Sequence, residues 1–372
     1  MTTYKRLGDY IREVNVRNRD EKVTKLVGLT IDKAFIPSVA NVIGTDLSNY
    51  KVIRHEQFAC SLMQVSRDGK MPVDMFEEDE AIMSPAYPMF EVIDKAELLP
   101  QYLMMWFTRS EFDREASYYA VGGVRGSLTW EDFCNMTLPI PSIDRQREIV
   151  EEYETLSRRI RLNEQMIQKL EATAQALYRK MFVDGIDKEN LPEGWRMGTL
   201  SEIANITMGQ SPDGDTYNLD GKGMIFYQGR TDFGRRFPTA RVYTTSPTRY
   251  AKEGDVLLSV RAPVGDLNVA PHGCCIGRGL ASLRSKTGCQ SYLYYQLQEL
   301  SDVFNVSDDE GTIFGSINKD DLFNIEIAIP SIEEIKDFES QVSKIDHEIQ
   351  LKDREINILT ELQSLLLAKM GQ

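Results

Sequence analysis

Between residues 225 and 285, nine lysines and arginines stand against four aspartates and glutamates, and eight of the nine are arginine: Arg230, Arg235, Arg236, Arg241, Arg249, Arg261, Arg278 and Arg284. A guanidinium is planar and donates in parallel pairs, which suits it to a phosphate or to the edge of a guanine. Gln210, Ser211 and Gln228 stand in the same region and supply amide and hydroxyl groups able to hydrogen-bond base edges. Aromatic residues interleave with these cations in FYQGRTDFGRRFPTARVYTTSPTRY. Such a composition offers recognition of nucleic acid. The candidate contacts in this half are Gln210, Ser211, Gln228, Arg230, Arg235, Arg236, Arg261 and Arg278. A charged loop is often only solvated, and the net charge of −14 opposes phosphate binding on average. Steering depends on where charges lie, however, and the segment 332–370 alone holds nine acidic residues against five basic ones. The first half carries a weaker signal: Lys51, Arg54, Arg67 and Lys70 flank a strand, Arg109, Arg114 and Arg125 follow, and EEDE at 77–80 opposes them. Arg54, Arg67, Lys70 and Arg125 are its candidate DNA contacts.

Catalytic chemistry has no comparable signature. There is no phosphate-cradling Walker loop, no GxGxxG between strand and helix, no Asn-Pro-Pro-aromatic motif and no acid–acid–lysine cluster. Gly277-Arg278-Gly279 is too short for a dinucleotide fingerprint and offers only a close backbone approach. Asp320 and Asp321 sit where a helix begins, a place that the helix dipole explains without catalysis. The cysteines at 60, 134, 274, 275 and 289 form no CxxC pair, and the histidines at 55, 272 and 347 complete neither a zinc site nor a nucleophile–base pair. We therefore expect no catalytic residue, no metal and no cofactor in this chain. No signal-like apolar start and no run of apolar residues able to span a bilayer is found, so a soluble, cytoplasmic protein is expected.

The elements that must position these residues come in two copies. Residues 126–181 reappear 189 positions later at 315–370: GSLTWEDFCNMTLPIPSI in one copy, GSINKDDLFNIEIAIPSI in the other. A fixed-period repeat marks one unit used twice. After each IPSI the apolar residues step by four and three. The first series is Ile149, Tyr153, Leu156, Ile160, Ile167, Leu170 and Leu177, with Asn163 filling a gap. The second is Phe338, Val342, Ile345, Ile349, Ile356, Leu359 and Leu366, with Lys352 filling one. This heptad pattern predicts two helices of about 40 residues, about 60 Å each, paired through a coiled-coil seam. Proline disfavours helix before it, and Ser142 or Ser331 can cap the start. If the helices run antiparallel, residues whose numbers sum to about 519 face each other. Asn163 then lies near Ile356 and Lys352 near Ile167, each a polar layer that fixes register at some cost. An amphipathic helix lying on its own domain is the simpler alternative, but such a helix is usually shorter and has a wider apolar face.

Between the helices, DVLLSV and GMIFYQ read as strands, and GQSPDGDTYN as loop. KRLGDYI lines up with GTLSEIA and HEQFACS with EGDVLLS, whereas the loops between share little. The expected organisation is an α+β fold: a β-rich domain at 1–142, a long helix within 143–190, a second β-rich domain at 191–331 and a second long helix within 332–372. Pseudo-two-fold symmetry follows from the repeat. A common scaffold carrying unlike loops suits the reading of two different ligands.

These residues resemble a known family, the specificity subunit of type I restriction–modification systems. The resemblance covers the whole chain and rests on LPEGW at 191, the G-x-S-P loop at Gly209, Ser211 and Pro212, YQGRTDFG at 227, GDVLLSVRAPVGD at 254, CIGRGLA at 275 and both IPSI-plus-helix segments. LTIDKAFIPSVANVIGTDLSNYKV and SPAYPMFEV carry it in the first domain. It implies two target-recognition domains, each reading one half of an asymmetric bipartite sequence in double-stranded DNA. It also implies an intramolecular antiparallel coiled coil acting as a ruler and docking two methyltransferase subunits. Those partners would bind S-adenosylmethionine and methylate adenine N6, and a restriction and translocase subunit using ATP and magnesium would join them. No membrane partner is implied. A coiled-coil scaffold or interaction protein that reads no DNA remains the alternative, and a stand-alone methyltransferase or nuclease lacks its motifs.

Overall fold

The computed structural model describes residues 4–38, 45–63, 65–121, 126–300 and 316–371. The chain divides into two compact units, Met1–Asn163 with Glu355–Gln372 and Glu164–Arg354. The helices Ile143–Phe182 and Ile332–Lys369, of 40 and 38 residues, each contribute to both.

The first unit is built on a four-stranded antiparallel sheet in the order Ile11–Glu13, Met89–Val92, Phe58–Cys60, Val73–Met75. The second unit holds a four-stranded antiparallel sheet in the order Ala204–Met208, Leu280–Ser285, Val256–Ser259, Leu267–Val269. In both, the strand that is last along the chain lies between the first and the second. Each sheet is entered through a two-stranded ribbon, Tyr4–Arg6 with Thr137–Pro139 in one unit and Arg196–Thr199 with Glu326–Ile329 in the other. One helical turn, Leu7–Asp9 or Leu200–Ile203, carries the chain from ribbon to sheet, and its leading leucine is buried. The alignment of KRLGDYI with GTLSEIA thus describes the same strand–turn–strand path.

Val256–Ser259 is buried at every position. Val256 and Leu258 pack into the cluster under the helices, and Leu257 faces a second cluster around Tyr227, Cys274 and Ile276. A strand covered on both faces needs a continuous apolar run rather than alternation, which is what VLLS supplies. The cover is a five-stranded sheet found only in the second unit among the described residues, in which Met224–Tyr227 and Cys274–Ile276 pair in parallel. The first unit carries separate ribbons in its place, Val27–Leu29 with Phe35–Pro37 and Lys51–Arg54 with Glu80–Met83.

The second long helix opens on a capping box: Glu334 N–H donates to Ser331 Oγ at 3.3 Å, and Ser331 N–H donates to the Glu334 carboxylate at 3.2 Å. Ser142 Oγ accepts more weakly from Arg145 N–H, at 3.4 Å. In the first unit the helix segments run antiparallel: Gln363 Nε2 donates to Ser157 Oγ at 2.7 Å, and Arg159 pairs with Glu355 at 2.6 Å, so numbers rise on one as they fall on the other. Ile149, Val150 and Tyr153 share a core there with Leu366, Leu367 and Met370. In the second unit Ala174, Tyr178 and Phe182 share a core with Phe338, Val342 and Ile345, and the Tyr178 and Phe182 rings lie 5.6 and 5.5 Å from Phe338. Of the heptad positions, Ile149, Asn163, Ile167, Phe338, Val342 and Ile349 are buried. Tyr153, Leu156, Ile160, Leu170, Leu177, Ile345, Lys352, Ile356, Leu359 and Leu366 are half-buried. Asn163 keeps its amide nitrogen without a hydrogen-bond partner, a cost in stability. Lys352 pairs along its own helix with Glu348 at 3.4 Å. Among the described residues no helix is long and apolar enough to cross a membrane.

Phe338 is fully buried against three aromatic rings, so Phe338→Ala should cost about 3–5 kcal/mol of stability, read as a lower urea midpoint at an unchanged slope.

Candidate nucleic-acid interface

Three glycine-bearing loops of the second unit meet, fastened to one another mainly by backbone. Gly209 N–H donates to Leu280 O at 2.9 Å and Gln210 N–H to Ile276 O at 3.0 Å. Gly277 N–H donates to Tyr227 O at 2.8 Å, and Arg278 N–H to Ser211 Oγ at 3.3 Å. The approach is close enough to demand glycine: a Cβ on Gly209 would lie 2.1 Å from Gly277 O, and one on Gly279 would lie 2.9 Å from Gln228 O. Gly277-Arg278-Gly279 thus packs against Gln228 and Gly229. The junction brings Gln210, Ser211, Gln228 and Arg278 together, with Gln210, Gln228 and Arg278 exposed. Arg261 joins from the neighbouring edge, where Val260 N–H donates to Gly279 O at 2.9 Å.

Asp232, missed by reasoning from composition, organises the middle loop. Its buried carboxylate accepts from Gln228 N–H at 2.7 Å and pairs with Arg241 at 2.6 Å. Asn268 does similar work, accepting from Gly234 N–H at 3.1 Å and donating to Gly234 O at 3.1 Å. The signal for both was an acid or amide in a Gly-rich turn, a pattern shared with solvated turns.

The arginines divide by partner. Arg230 pairs with Asp266 at the surface, its side chain 56% exposed. Arg235 pairs with Glu164 at 3.4 Å, and Arg284 pairs with buried Asp255. Among the described residues Arg249, Arg261 and Arg278 are exposed and make no ion pair. Arg236 contradicts its expected role as a DNA contact. Its guanidinium is buried, donates to Asp346 Oδ1 at 2.7 Å and lies 3.4 Å from the centroid of the Tyr294 ring. Desolvation and full engagement leave it nothing to offer a phosphate or a base.

In the first unit, Arg54 pairs with Glu80 at 3.8 Å, Arg67 with Asp68 at 2.6 Å and Lys70 with Asp32 at 2.9 Å, all at the surface. These three are not joined by any junction like that of the second unit. Arg125 lies outside the described residues. Beside the second unit's junction, burial pushes the Cys274 thiol up to about 12, which keeps it protonated near neutral pH. Among the described residues no cluster of three or more histidines, cysteines or carboxylates could hold a metal ion.

A model of the family described as the type I restriction modification DNA specificity domain matches residues 74–172 and 192–361, more than half of the chain. The chain belongs to this specificity family. A putative type I restriction enzyme MjaX specificity subunit from Methanocaldococcus jannaschii is 29% identical over 276 residues, 70% of this chain and 65% of its own length. The chain therefore matches a little under two thirds of that relative. The type I restriction–modification S subunit from M. genitalium has the same fold, with a TM-score of 0.64 at 13% identity over 100% of this chain and 96% of that one. The HsdS subunit from Thermoanaerobacter tengcongensis is 27% identical, covering 99% of this chain and 96% of that one, with a TM-score of 0.40.

Within this specificity fold, the glycine junction generates a direct test. Gly209→Ala drives a methyl group into the Gly277 carbonyl and should cost about 3 kcal/mol. Gly214→Ala, with nothing within 4 Å of the new Cβ, should change stability by less than about 0.5 kcal/mol. Thermal denaturation of the two variants side by side reads the difference, and equal stability would refute the close packing.

Proposed function

We propose that this chain is the sequence-reading, non-catalytic subunit of a type I restriction–modification complex, and that it recognises an asymmetric bipartite target in double-stranded DNA. One half-site falls to the first unit and the other to the second. The observation that carries the reading is the junction of Gln210, Gln228, Arg261 and Arg278 on a glycine-lined floor. Exposed cations free of carboxylate partners stand there beside amides able to pair with base edges. The two units share a sheet order and differ in their loops, which suits two unlike half-sites.

Two methyltransferase subunits, binding S-adenosylmethionine, would methylate adenine N6, and a restriction and translocase subunit driven by ATP with magnesium would join them. A surface in the first unit fits protein docking. Leu156, Leu362, Leu365 and Leu366 line a groove rimmed by Glu148, Glu151 and Glu152, and Leu362 and Leu365 are 45% and 54% exposed. Exposed leucines gathered this closely suit a partner's apolar face.

The long helices supply the ruler between half-sites. Residues on one face of a duplex repeat about every 34 Å, so rods of this length can set a gap. Removing one heptad from both helices should change the permitted gap while leaving each half-site unaltered; footprints that keep the same gap would reject the ruler.

Base reading is tested separately. Arg230→Ala, Arg261→Ala and Arg278→Ala combined should abolish modification through the second half-site, a loss of about 3 kcal/mol or more at about 1–3 kcal/mol per specific contact. Sequencing of N6-methyladenine across a genome gives the readout, and an unchanged methylation pattern would favour a scaffold that reads no DNA.

A further inference from the structure

The segment Gln228–Arg236 is a stiff connector fixed at both ends. At its start, the Gln228 and Gly229 N–H groups are held by Asp232 at 2.7 and 3.4 Å. Near its end, Asn268 holds Gly234, and Arg236 O accepts from Val269 N–H at 2.8 Å. The Arg236 guanidinium then reaches the second long helix, donating to Asp346 while stacked on Tyr294. Tyr295 Oη donates to the same Asp346 oxygen at 3.0 Å, which fixes the acceptor. Next to it Arg235 pairs with Glu164 on the first long helix. A nine-residue strut therefore runs from the exposed side chains of the junction to both helix segments of the second unit.

A buried ion pair is weak evidence for stability, because desolvation consumes much of the attraction, and its best-attested use is to fix one arrangement over others. The repeat shows that the fold does not require this one. At the 189-residue offset, Ser157 stands where Asp346 stands, and its hydroxyl meets Gln363 instead of a guanidinium. The corresponding junction of the first unit is a groove of Met75, Met104, Met105, Val150 and Tyr153 with no arginine from a recognition loop. The same joint thus closes in one unit without a tie and in the other with one.

We infer that Arg236 is a positioning residue for the second half-site: through Asp346 it locks the recognition strut onto the helix pair, so that the gap to the first half-site is read without tolerance. The inference rests on the function proposed above. Without the tie the base-facing end of the strut can tilt against the helices, and targets with a gap one base pair too long or too short become acceptable.

The test uses the complete complex with its methyltransferase subunits and wild-type chain, Arg236→Ala, Asp346→Asn and Asp346→Glu. Adenine methylation is measured on duplexes carrying the wild-type gap and gaps altered by one base pair. The ratio of native to altered gap should fall about ten- to hundredfold in Arg236→Ala and Asp346→Asn, and Asp346→Glu should restore most of it. Discrimination at the first half-site should stay at the wild-type level. If Arg236→Ala does not fold, Asp346→Asn carries the test, since it keeps the shape of the acceptor and leaves the arginine stacked on Tyr294. Methylation reduced by one common factor on every duplex, with the ratio unchanged, would overturn the inference and reduce the pair to a structural contact. A wild-type complex that modifies no bipartite target would overturn the underlying function, and the wild-type lane alone reveals that case.

Discussion

Each compact unit is closed by a helix segment from the far half of the sequence. Tyr178 and Phe182, at the end of the first long helix, pack with Phe338 and Val342 to seal the core beneath the second unit's sheet. Leu366, Leu367 and Met370, at the end of the second, do the same for the first unit. Burying an aromatic or large aliphatic side chain is worth roughly 1.5–3 kcal/mol, so the few side chains at each closure match a sizeable share of a domain's net stability. Antiparallel pairing is therefore a condition of both cores. The heptad spacing follows from that condition, because a seam that drifted round the helix would carry Phe338 or Leu366 away from the core it closes.

The same economy governs charge. Five of the eight arginines between 225 and 285 are matched by carboxylates of the same unit: Arg230 by Asp266, Arg235 by Glu164, Arg236 by Asp346, Arg241 by Asp232 and Arg284 by Asp255. These pairs differ in what they permit. An exposed pair such as Arg230–Asp266 is worth about 0–1 kcal/mol, little enough for a phosphate to compete for the arginine. Arg236 is enclosed by tyrosines and cannot exchange partners without opening the joint. A local excess of arginine thus contains a structural population and a binding population, and burial separates them.

That separation explains what was legible in the sequence. The long helices, their caps and the repeated strand–turn–strand entries were readable because each depends on spacing within a few residues: four-three apolar steps, Ser331 three before Glu334, Leu7 and Leu200 at the head of a turn. VLLS read as a strand because a run buried on both faces is apolar throughout. The five-stranded sheet of the second unit was not readable, since strands of two residues such as Tyr217–Asn218 and Tyr243–Thr244 leave no periodicity. The partners of Arg236 were hidden for another reason. Asp346 lies 110 positions away on a helix whose charged residues all look solvent-facing. Composition placed the recognition region well and chose individual side chains less well, because solvation is a tertiary property.

The junction of the three loops also shows how one scaffold can serve many targets. Its fastening runs through Gly209 N–H to Leu280 O, Gln210 N–H to Ile276 O and Gly277 N–H to Tyr227 O, and through glycines that admit no side chain. Backbone groups are common to every residue, so the loops keep their path whatever stands at 210, 228 or 278. Those side chains project outward and contribute little to the fastening. The residues that hold the loops are thus chemically distinct from those available for reading, and the outward positions can change without loosening the junction. A site in which the reading side chains also held the loops together would lose its geometry with each change of target.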